Sequence, residues 1–404
     1  MEPRFPRLSP MRVLLPFLSL AICLLPSGCQ KPQGDGVTRI VLVTMGGLAH
    51  SRHGGREVME SWGQKGLRFS QASAASNWVA PSVASLLTGR NPRAHGLVNL
   101  EGASCSSKCP TLPEVLAEAD WTCHAVLGDS FLMEPRGLDR GFETWEFLGA
   151  GSGPDSAVDQ AVLDSGLDHL RATSGPCFLW LHLVGPRPPY SAPDGWSADR
   201  LMQPGQSLTH LLKLQSQADP AGREDLIALH LHDQNSLLES VDQWLGLLDK
   251  ETLVAFVGSS GFELGEQGRL GSGTSMGEEA LAVPFMLLGP GIPVGQVQRR
   301  VGHVDLMPTL LDLAGLPEPR DLAGVSILPG RSAAWRPLFS STRRAHSRDV
   351  VYEEGLKLLR DGETGDCSLY DLDRDPDELM EHGTRLGSDR TRLRQVLLDH
   401  LERP

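Results

Sequence analysis

The chain has 404 residues, of which 40% are hydrophobic and 22% are charged, and its formal net charge is −13. This length and apolar content suffice for one large α/β domain, with or without a small second one, and they exclude disorder as the default state. The negative charge argues against a nucleic-acid partner, because phosphate binding needs a basic surface.

The N-terminus has the pattern of an export signal. Three arginines precede or begin an apolar stretch at residues 11–25, which is too short to span a membrane comfortably. The stretch ends in Ser27, Gly28 and Cys29, which resembles a bacterial lipobox, although ordinary cleavage near Ser27 is an alternative. We predict a signal peptide at residues 1–29, with Cys29 as the lipidation site if it is of the lipoprotein type. We expect a periplasmic or cell-surface protein, held to a membrane only by such a lipid anchor.

Residues 30–36 are polar and predict a short tether between the signal and the folded domain. Five cysteines follow the signal, an odd number, so in an oxidising compartment some can pair and one cannot. Cys105 and Cys109 lie close together in a predicted loop, and a local disulfide is the simplest expectation for them. A metal site there would need a second ligand pair, and none is near in the sequence.

Apolar runs alternate with helical patterns through most of the chain, which predicts βαβ units and a mostly parallel sheet. The predicted strands are residues 39–44, 122–127, 177–184, 253–257 and 284–288. The predicted helices are residues 57–62, 81–87, 111–119, 157–172, 224–248 and 306–314. The predicted fold class is therefore α/β, with a mostly parallel central sheet sandwiched by helices.

The pattern changes after residue 330. Short strands within residues 350–359 and 368–372, followed by a helix at residues 388–401, predict a small C-terminal α+β subdomain. We therefore divide the chain into a main α/β domain at residues 37–330 and a subdomain at residues 331–404.

Eight short motifs carry a resemblance to a known family, and they occur in that family's order and spacing. They include WVAPSVASLLTG at residues 78–89, GLDRGF at 137–142, VDLMPTLLDLAG at 304–315 and LYDLDRDP at 369–376. These motifs resemble those of the sulfatase family, in the alkaline-phosphatase superfamily. The resemblance runs from residue 39 to residue 378 and implies that family's fold.

The resemblance also implies a chemistry. In this superfamily a nucleophile at a helix N-terminus attacks a sulfate or phosphate ester and forms a covalent intermediate. One or two divalent cations, held by Asp, Asn and His, activate the nucleophile and neutralise the ester oxygens. Basic residues and a His then stabilise the leaving group.

This sequence departs from that pattern at the positions that matter most. The resemblance places the nucleophile at Val79, the first metal carboxylates at Gly46 and Gly47, and the later metal pair at Ser259 and Ser260. Valine has no lone pair, glycine has no carboxylate, and a serine hydroxyl is a poor substitute for a carboxylate on a hard cation. We therefore predict no catalytic residue, no metal site and no cofactor. Ca²⁺ or Mg²⁺ is expected only if the chain is active after all.

Four further positions of the pattern are also changed. The Arg that follows Pro-Ser in the family is Val83, and the acidic residue before the strand-end proline is Gly185. The His that follows this proline is Arg187, and the late basic residue falls near Ser272. These changes lie on separate loops that the predicted fold brings to one end of the sheet.

Polar residues near the expected cleft are candidates for a new role. The cleft or anion-binding candidates are His95, Asp129, Arg187, Ser259 and Ser260. Arg187 either binds an anion or is a surface arginine. His95 either lines the cleft or supports its own loop.

Other polar residues have simpler interpretations. His182 lies in a predicted strand and is expected to be a core histidine. His50 and His53 are the alternative for a relocated metal site, although no carboxylate accompanies them. We interpret Glu263 and Glu266 as loop scaffolding.

Two function classes follow from these residues. The leading hypothesis is an exported, catalytically inactive sulfatase-like protein that binds a glycan, an anionic ligand or a protein through the inherited cleft. In one form of this hypothesis the protein is a partner of a catalytically active paralogue. The alternative is a divergent hydrolase of sulfuric or phosphoric esters that uses relocated metal ligands. Its support is the likeness of fold rather than of site.

Overall fold

The computed structural model describes residues 36–49, 56–99, 101–149, 155–188, 190, 220–331, 336–344, 346–382 and 387–402. The predicted signal peptide with Cys29, nearly all of the tether, His50 and His53 lie outside these residues. Within the described part of the chain, no helix is long and apolar enough to cross a membrane.

Seventeen strands are present in the described residues, in four sheets. They are β1 (Arg39–Met45), β2 (Leu48–Ala49), β3 (Gly66–Phe69), β4 (Ala72–Ser73), β5 (Thr122–Leu127), β6 (Thr144–Phe147), β7 (Cys177–Leu183), β8 (Thr252–Gly258), β9 (Gly261–Leu264), β10 (Leu270–Gly271), β11 (Phe285–Leu288), β12 (Gly295–Val297), β13 (Val301–Gly302), β14 (Leu338–Thr342), β15 (Arg348–Glu353), β16 (Leu356–Asp361) and β17 (Cys367–Asp371).

The described α-helices are nine in number. They are α1 (Arg56–Gly63), α2 (Val79–Thr88), α3 (Pro92–His95), α4 (Leu112–Glu118), α5 (Asp155–Ala172), α6 (Pro220–Leu245), α7 (Glu278–Leu281), α8 (Leu306–Leu313) and α9 (Gly387–Glu402). Each predicted helix and each predicted strand of the main domain corresponds to one of these elements, with small differences at the ends.

The central sheet has eight strands in the order β12-β3-β11-β8-β1-β7-β5-β6. Every pairing is parallel except those of β11 with β8 and with β3. The mostly parallel sheet predicted from the sequence is therefore confirmed. Met45 at the end of β1 pairs with Leu183 of β7 and Gly258 of β8, so these three strands finish at one edge.

Helices cover both faces of this sheet, as the sequence predicts. Ile40 and Leu42 of β1 join the core formed with α2, α4 and α8, whereas Val41 and Val43 join the core formed with α1, α5 and α6. All four side chains are fully buried, which explains why β1 is a continuous apolar run rather than an alternating one.

Helix α2 begins two residues earlier than the sequence predicts. We expected it to start at Pro81, but it starts at Val79, so Pro81 is its third residue. Proline is tolerated there because the N–H groups of the first turn have no partner within the helix. The end was predicted correctly at Gly89, whose φ of 62° fits a left-handed helix cap.

The C-terminal sheet is antiparallel, in the order β14-β15-β16-β17. One face packs on α9 through Leu358, Leu393 and Leu397. The other face contributes Val350 and Tyr352 to the main core. The described residues on both sides of position 330 belong to one compact unit. The domain boundary near residue 330 stays a prediction.

A buried ion network joins this sheet to the main body, and the sequence analysis did not identify it. Lys357 Nζ lies 3.0 Å from Glu278 Oε1 and 2.8 Å from Glu378 Oε1. Tyr352 donates a 2.7 Å hydrogen bond to Glu278, and Arg300 Nη1 lies 3.1 Å from the same carboxylate. Lys357 is fully buried, and a buried charge without a partner is strongly destabilising. The lysine therefore depends on its two carboxylate partners.

The expected disulfide between Cys105 and Cys109 is absent from the structure, and that prediction is wrong. Both thiols are buried and free, and Cys109 Sγ donates to Ala94 O at 3.3 Å. Arg140 binds the carbonyl oxygens of both cysteines, at 3.4 Å and 2.7 Å. These hydrogen bonds hold the loop without a covalent link.

Candidate functional site

The carboxyl ends of β1, β7 and β8 meet at one edge of the sheet, next to the N-terminus of α2. Gly46 follows β1 and Ser259 follows β8, and Ser259 N donates to Met45 O at 2.7 Å. In open α/β sheets ligands bind at this edge, because loops from several strands converge there. A functional site is therefore expected at this edge.

Four residues that the sequence analysis assigned to different motifs lie together there. A Cβ atom built on Gly46 would be 3.3 Å from Val79 Cγ2, 3.4 Å from Ser259 Oγ and 3.7 Å from Ser260 Oγ. We call Gly46, Val79, Ser259 and Ser260 the Val79 cluster. Val79 is 5% exposed, and the two serines are exposed by 1% or less. The cluster is therefore a packed contact and not an open pocket.

The polar atoms of this region are neutral and partly unpaired. Ser259 Oγ and Ser260 Oγ make no hydrogen bond with any part of the chain that the structure describes, and the same holds for Ser76 Oγ. The Ser82 hydroxyl donates to Ser76 O at 2.9 Å. It is directed at the backbone, and not at the position of Val79.

The loop after β7 lies directly on this cluster. Gly185 has a φ of 83°, and a Cβ atom there would be 2.2 Å from Gly46 O. Both the backbone conformation and the close approach require glycine at this position. The loop after β7 therefore lies in contact with the backbone of Gly46, and a side chain at position 185 would clash with it.

Arg187 lies in this loop, and the carboxylates of Asp155 and Asp129 already form ion pairs with it. Its Nε donates to Asp155 Oδ2 at 2.8 Å, and its Nη1 lies 3.7 Å from Asp129 Oδ2. Burial raises the pKa of Asp129, and the charge of Arg187 opposes this shift. An external anion at Arg187 would have to compete with these two partners.

Comparison with known proteins decides the family. A family model described as sulfatase matches residues 51–316, well over half of the chain. This chain belongs to the sulfatase family. Human arylsulfatase K is 34% identical to it over an alignment of 159 residues, and the match covers 33% of this chain and 28% of that protein. The low-salt glycan biosynthesis sulfotransferase Agl7 of Haloferax volcanii is 29% identical over an alignment of 268 residues, and the match covers 62% of this chain and 56% of that protein.

This sulfatase-family chain thus spans less than two thirds of the length of either relative. Its fold is similar to that of a solved Bacteroides thetaiotaomicron VPI-5482 structure assigned as a sulfatase. The TM-score is 0.73 at 20% identity, over 90% of this chain and 92% of the other. The resemblance inferred from the motifs and the predicted fold are therefore confirmed.

The residues at the positions that the resemblance assigns to the metal ligands do not fit the divalent cation that the sulfatase family implies. Gly46 and Gly47 supply no side-chain oxygen, and Ser259 and Ser260 supply only neutral hydroxyls. Hard cations bind carboxylate and carbonyl oxygens, several at a time. Among the residues that the structure describes, no group of three or more His, Cys, Asp or Glu is arranged to hold a metal ion.

Asp159 holds the end of β7 in place beside this site. Its carboxylate accepts hydrogen bonds from Val184 N at 2.5 Å and Gly185 N at 3.4 Å. The residue is 3% exposed, and burial raises its pKa to about 7 although the two backbone donors oppose this. It is therefore a proton-binding group close to the loop that covers Gly46.

This raised pKa predicts a pH dependence of stability. Since the unfolded carboxyl has a pKa of about 3.9, the folded state binds the extra proton between about pH 4 and pH 7. Stability therefore falls as the pH rises through that window. Between about pH 4.5 and pH 8 the free energy of unfolding should fall in the wild type. We expect this fall to exceed that of Asp159→Asn by on the order of 2–3 kcal/mol.

Urea unfolding at a series of pH values measures this difference. The matched control is Asp168→Asn, an exposed position of the same helix, which should keep the wild-type pH dependence. Parallel stability curves for the wild type and Asp159→Asn would show that Asp159 does not titrate in this range.

Two histidines named in the sequence analysis, His95 and His182, are fully buried. His95 Nε2 lies 3.1 Å from Ser85 Oγ, and its Nδ1 accepts from Leu97 N at 3.2 Å. Burial lowers the pKa of His95 to about 3. These contacts place His95 between α2 and its own loop, as the supporting interpretation holds. His182 Nδ1 lies 2.7 Å from Thr44 Oγ1, inside the sheet.

The remaining predicted residues hold the loops around the Val79 cluster. Ser275 donates to Glu263 Oε1 at 2.7 Å, and Thr274 donates to its other oxygen. Leu264 N donates to Glu266 Oε2 at 2.6 Å. These contacts agree with the scaffolding interpretation. Val83 is fully buried in the main core. Ser272 is half-buried in the loop after β10.

Sequence reasoning missed one cation at the rim of the site. The guanidinium of Arg344 lies 4.9 Å from the Phe131 ring centroid and 5.6 Å from that of Trp78, the residue before Val79. A Cβ atom built on Gly273 would lie 2.6 Å from Arg344 Nη1, so the guanidinium also lies close to that loop. Arg344 comes from the loop between β14 and β15, more than 250 positions from Trp78 in the sequence, and no motif marks it.

Proposed function

We propose that this chain is an exported, catalytically inactive member of the sulfatase family that binds a ligand or partner through the inherited cleft. The observation that carries the proposal is the Val79 cluster. The positions assigned to the nucleophile and the metal ligands meet in space, and they hold a valine, a glycine and two serines that are almost completely buried.

The chemistry of ester cleavage supports this interpretation. A nucleophile and the charges that stabilise the transition state each contribute several orders of magnitude to the rate. An alkyl group at the N-terminus of α2 provides no nucleophile. The hydroxyls of Ser259 and Ser260 provide no negative charge for a cation.

Binding would use the rim, since the cluster itself is packed. The rim carries exposed Arg344, half-buried Arg187 and the carboxylates that pair with Arg187. A glycan, an anionic ligand or a protein can be recognised by such mixed charges. Export rests on residues 1–29, and a lipid anchor would rest on Cys29.

A hydrolysis assay tests the proposal. The purified mature protein is incubated with aryl sulfate, phosphate and phosphonate esters, each with Ca²⁺, Mg²⁺, Mn²⁺ or Zn²⁺. We expect rates equal to the background without protein, and equal rates for Val79→Ala. Elemental analysis should find no stoichiometric divalent ion in the wild-type protein.

Two results would contradict inactivity. One is turnover that survives Val79→Ala but disappears when His50 and His53 are changed to alanine. The other is a stoichiometric bound cation. Either would favour the alternative, a hydrolase with relocated metal ligands.

A further inference from the structure

A cavity away from the Val79 cluster lies between the C-terminal sheet and the segment that leads into β13. Its volume is about 370 Å³, and its lining includes Arg299, Arg300, Arg336 and the hairpin turn at Glu354 and Gly355. Small-molecule sites have volumes of about 300–1,000 Å³. No residue of the Val79 cluster lines this cavity, so its properties are separate from those of the cleft.

The three arginines of the cavity differ in how their charges are matched. Arg300 donates to Ser73 Oγ at 2.8 Å and lies 3.1 Å from Glu278 Oε2. Arg336 forms an ion pair with Asp305. Arg299 is half-buried and makes no hydrogen bond or ion pair with the described residues.

The carboxylate of Asp305 already has three partners other than Arg299. Its Oδ2 accepts from Gly302 N at 2.9 Å, and its Oδ1 accepts from Val325 N at 2.9 Å and from Arg336. Burial lowers the pKa of Arg299. The negative charge of Asp305 opposes this shift, and the positive charge of Arg336 adds to it. Asp305 therefore pairs with Arg336, and it forms no ion pair with Arg299.

Acidic residues of the cavity do not supply the missing charge. Glu353 is paired with Arg392. Glu354 and Asp373 are exposed to solvent, where water and salt screen their charges. Arg299 is therefore the guanidinium of this cavity whose donors are left for a ligand anion.

We propose that this cavity binds a compact oxyanion, a sulfate or phosphate group, through Arg299 with Arg336 beside it. A guanidinium presents its donors in a planar fork that matches two oxygens of such a group. The volume leaves room for a small organic part, so the anion is either free or the charged end of an ester.

Calorimetric titration of the full mature chain with sodium sulfate and with sodium phosphate, at constant ionic strength set with chloride, tests the site. We expect saturable binding of at least one anion by the wild type. Arg299→Gln should weaken that binding about tenfold or more, because a charge-assisted pair is lost. Since Arg299 has no partner among the described residues, this variant should fold normally.

Arg93→Gln is the matched control. It removes the same charge from an exposed arginine on α3 and should bind like the wild type. The proposal is overturned if the wild type shows no saturable binding, or if Arg299→Gln binds as well as the wild type.

Discussion

Replacing Lys357 with methionine is expected to lower the free energy of unfolding by about 3–5 kcal/mol. The reason is that Lys357 is the buried cation between Glu278 and Glu378. Burial alone would lower the pKa of Lys357, but Glu378, Tyr352 and Glu278 raise it above its ordinary value, so the lysine is charged in the folded protein. Without it, two carboxylates remain in the core with less compensation.

Urea unfolding of the purified variants measures this loss. Lys108→Met is the matched control, since Lys108 is exposed and its replacement should change stability by less than about 0.5 kcal/mol. Adding Glu378→Gln to Lys357→Met should recover part of the loss, because one of the unpaired charges is removed. A Lys357→Met protein as stable as the Lys108→Met control would show that the network adds no net stability.

Restoring a carboxylate at the first metal position is expected to destabilise the protein and not to create a metal site. Gly46→Asp should lower the free energy of unfolding by about 3 kcal/mol or more near neutral pH, because the atoms nearest to the new side chain are a methyl group of Val79 and two uncharged serine hydroxyls. The loss should be smaller near pH 4, where a buried carboxyl is protonated. Millimolar Ca²⁺ or Mg²⁺ should not restore stability.

Gly46→Ala separates the effect of size from that of charge. Its methyl group would lie 3.3–3.7 Å from its three neighbours, so we expect a loss within about 1.5 kcal/mol. Unfolding curves with and without the cation give both quantities. If Ca²⁺ stabilised Gly46→Asp but not Gly46→Ala, the remaining ligands of a metal site would be present after all, and the proposed inactivity would fail.

Much of the fold could be predicted from local patterns. The buried apolar run of β1 and the Pro and Gly residues at the two ends of α2 identify their elements, because burial on both faces and helix termini impose local residue choices. Short strands were missed, among them β3 and β14. Two to five residues carry too little periodicity for a strand to be distinguished from a loop.

The site was predicted only in part. The motifs assigned Gly46, Val79, Ser259 and Ser260 individually, and the spacing of parallel strands brings them to one edge. Neither motif nor spacing indicated that Arg187 would be held by Asp155, or that Arg344 would reach Trp78 from the C-terminal sheet. Such contacts depend on how distant loops pack.

The sequence by itself determined the family and the α/β class, since these are properties of residue identity at fixed places in motifs. The resemblance also assigned four uncharged residues, Gly46, Val79, Ser259 and Ser260, to the positions of the nucleophile and the metal ligands. Only the tertiary structure decided that these positions are packed against one another, that Lys357 is buried between two carboxylates, and that Arg299 faces a cavity with its charge unmatched. The physical reason is that burial and pairing are relations between residues far apart in the chain, and local sequence does not encode the distance between them.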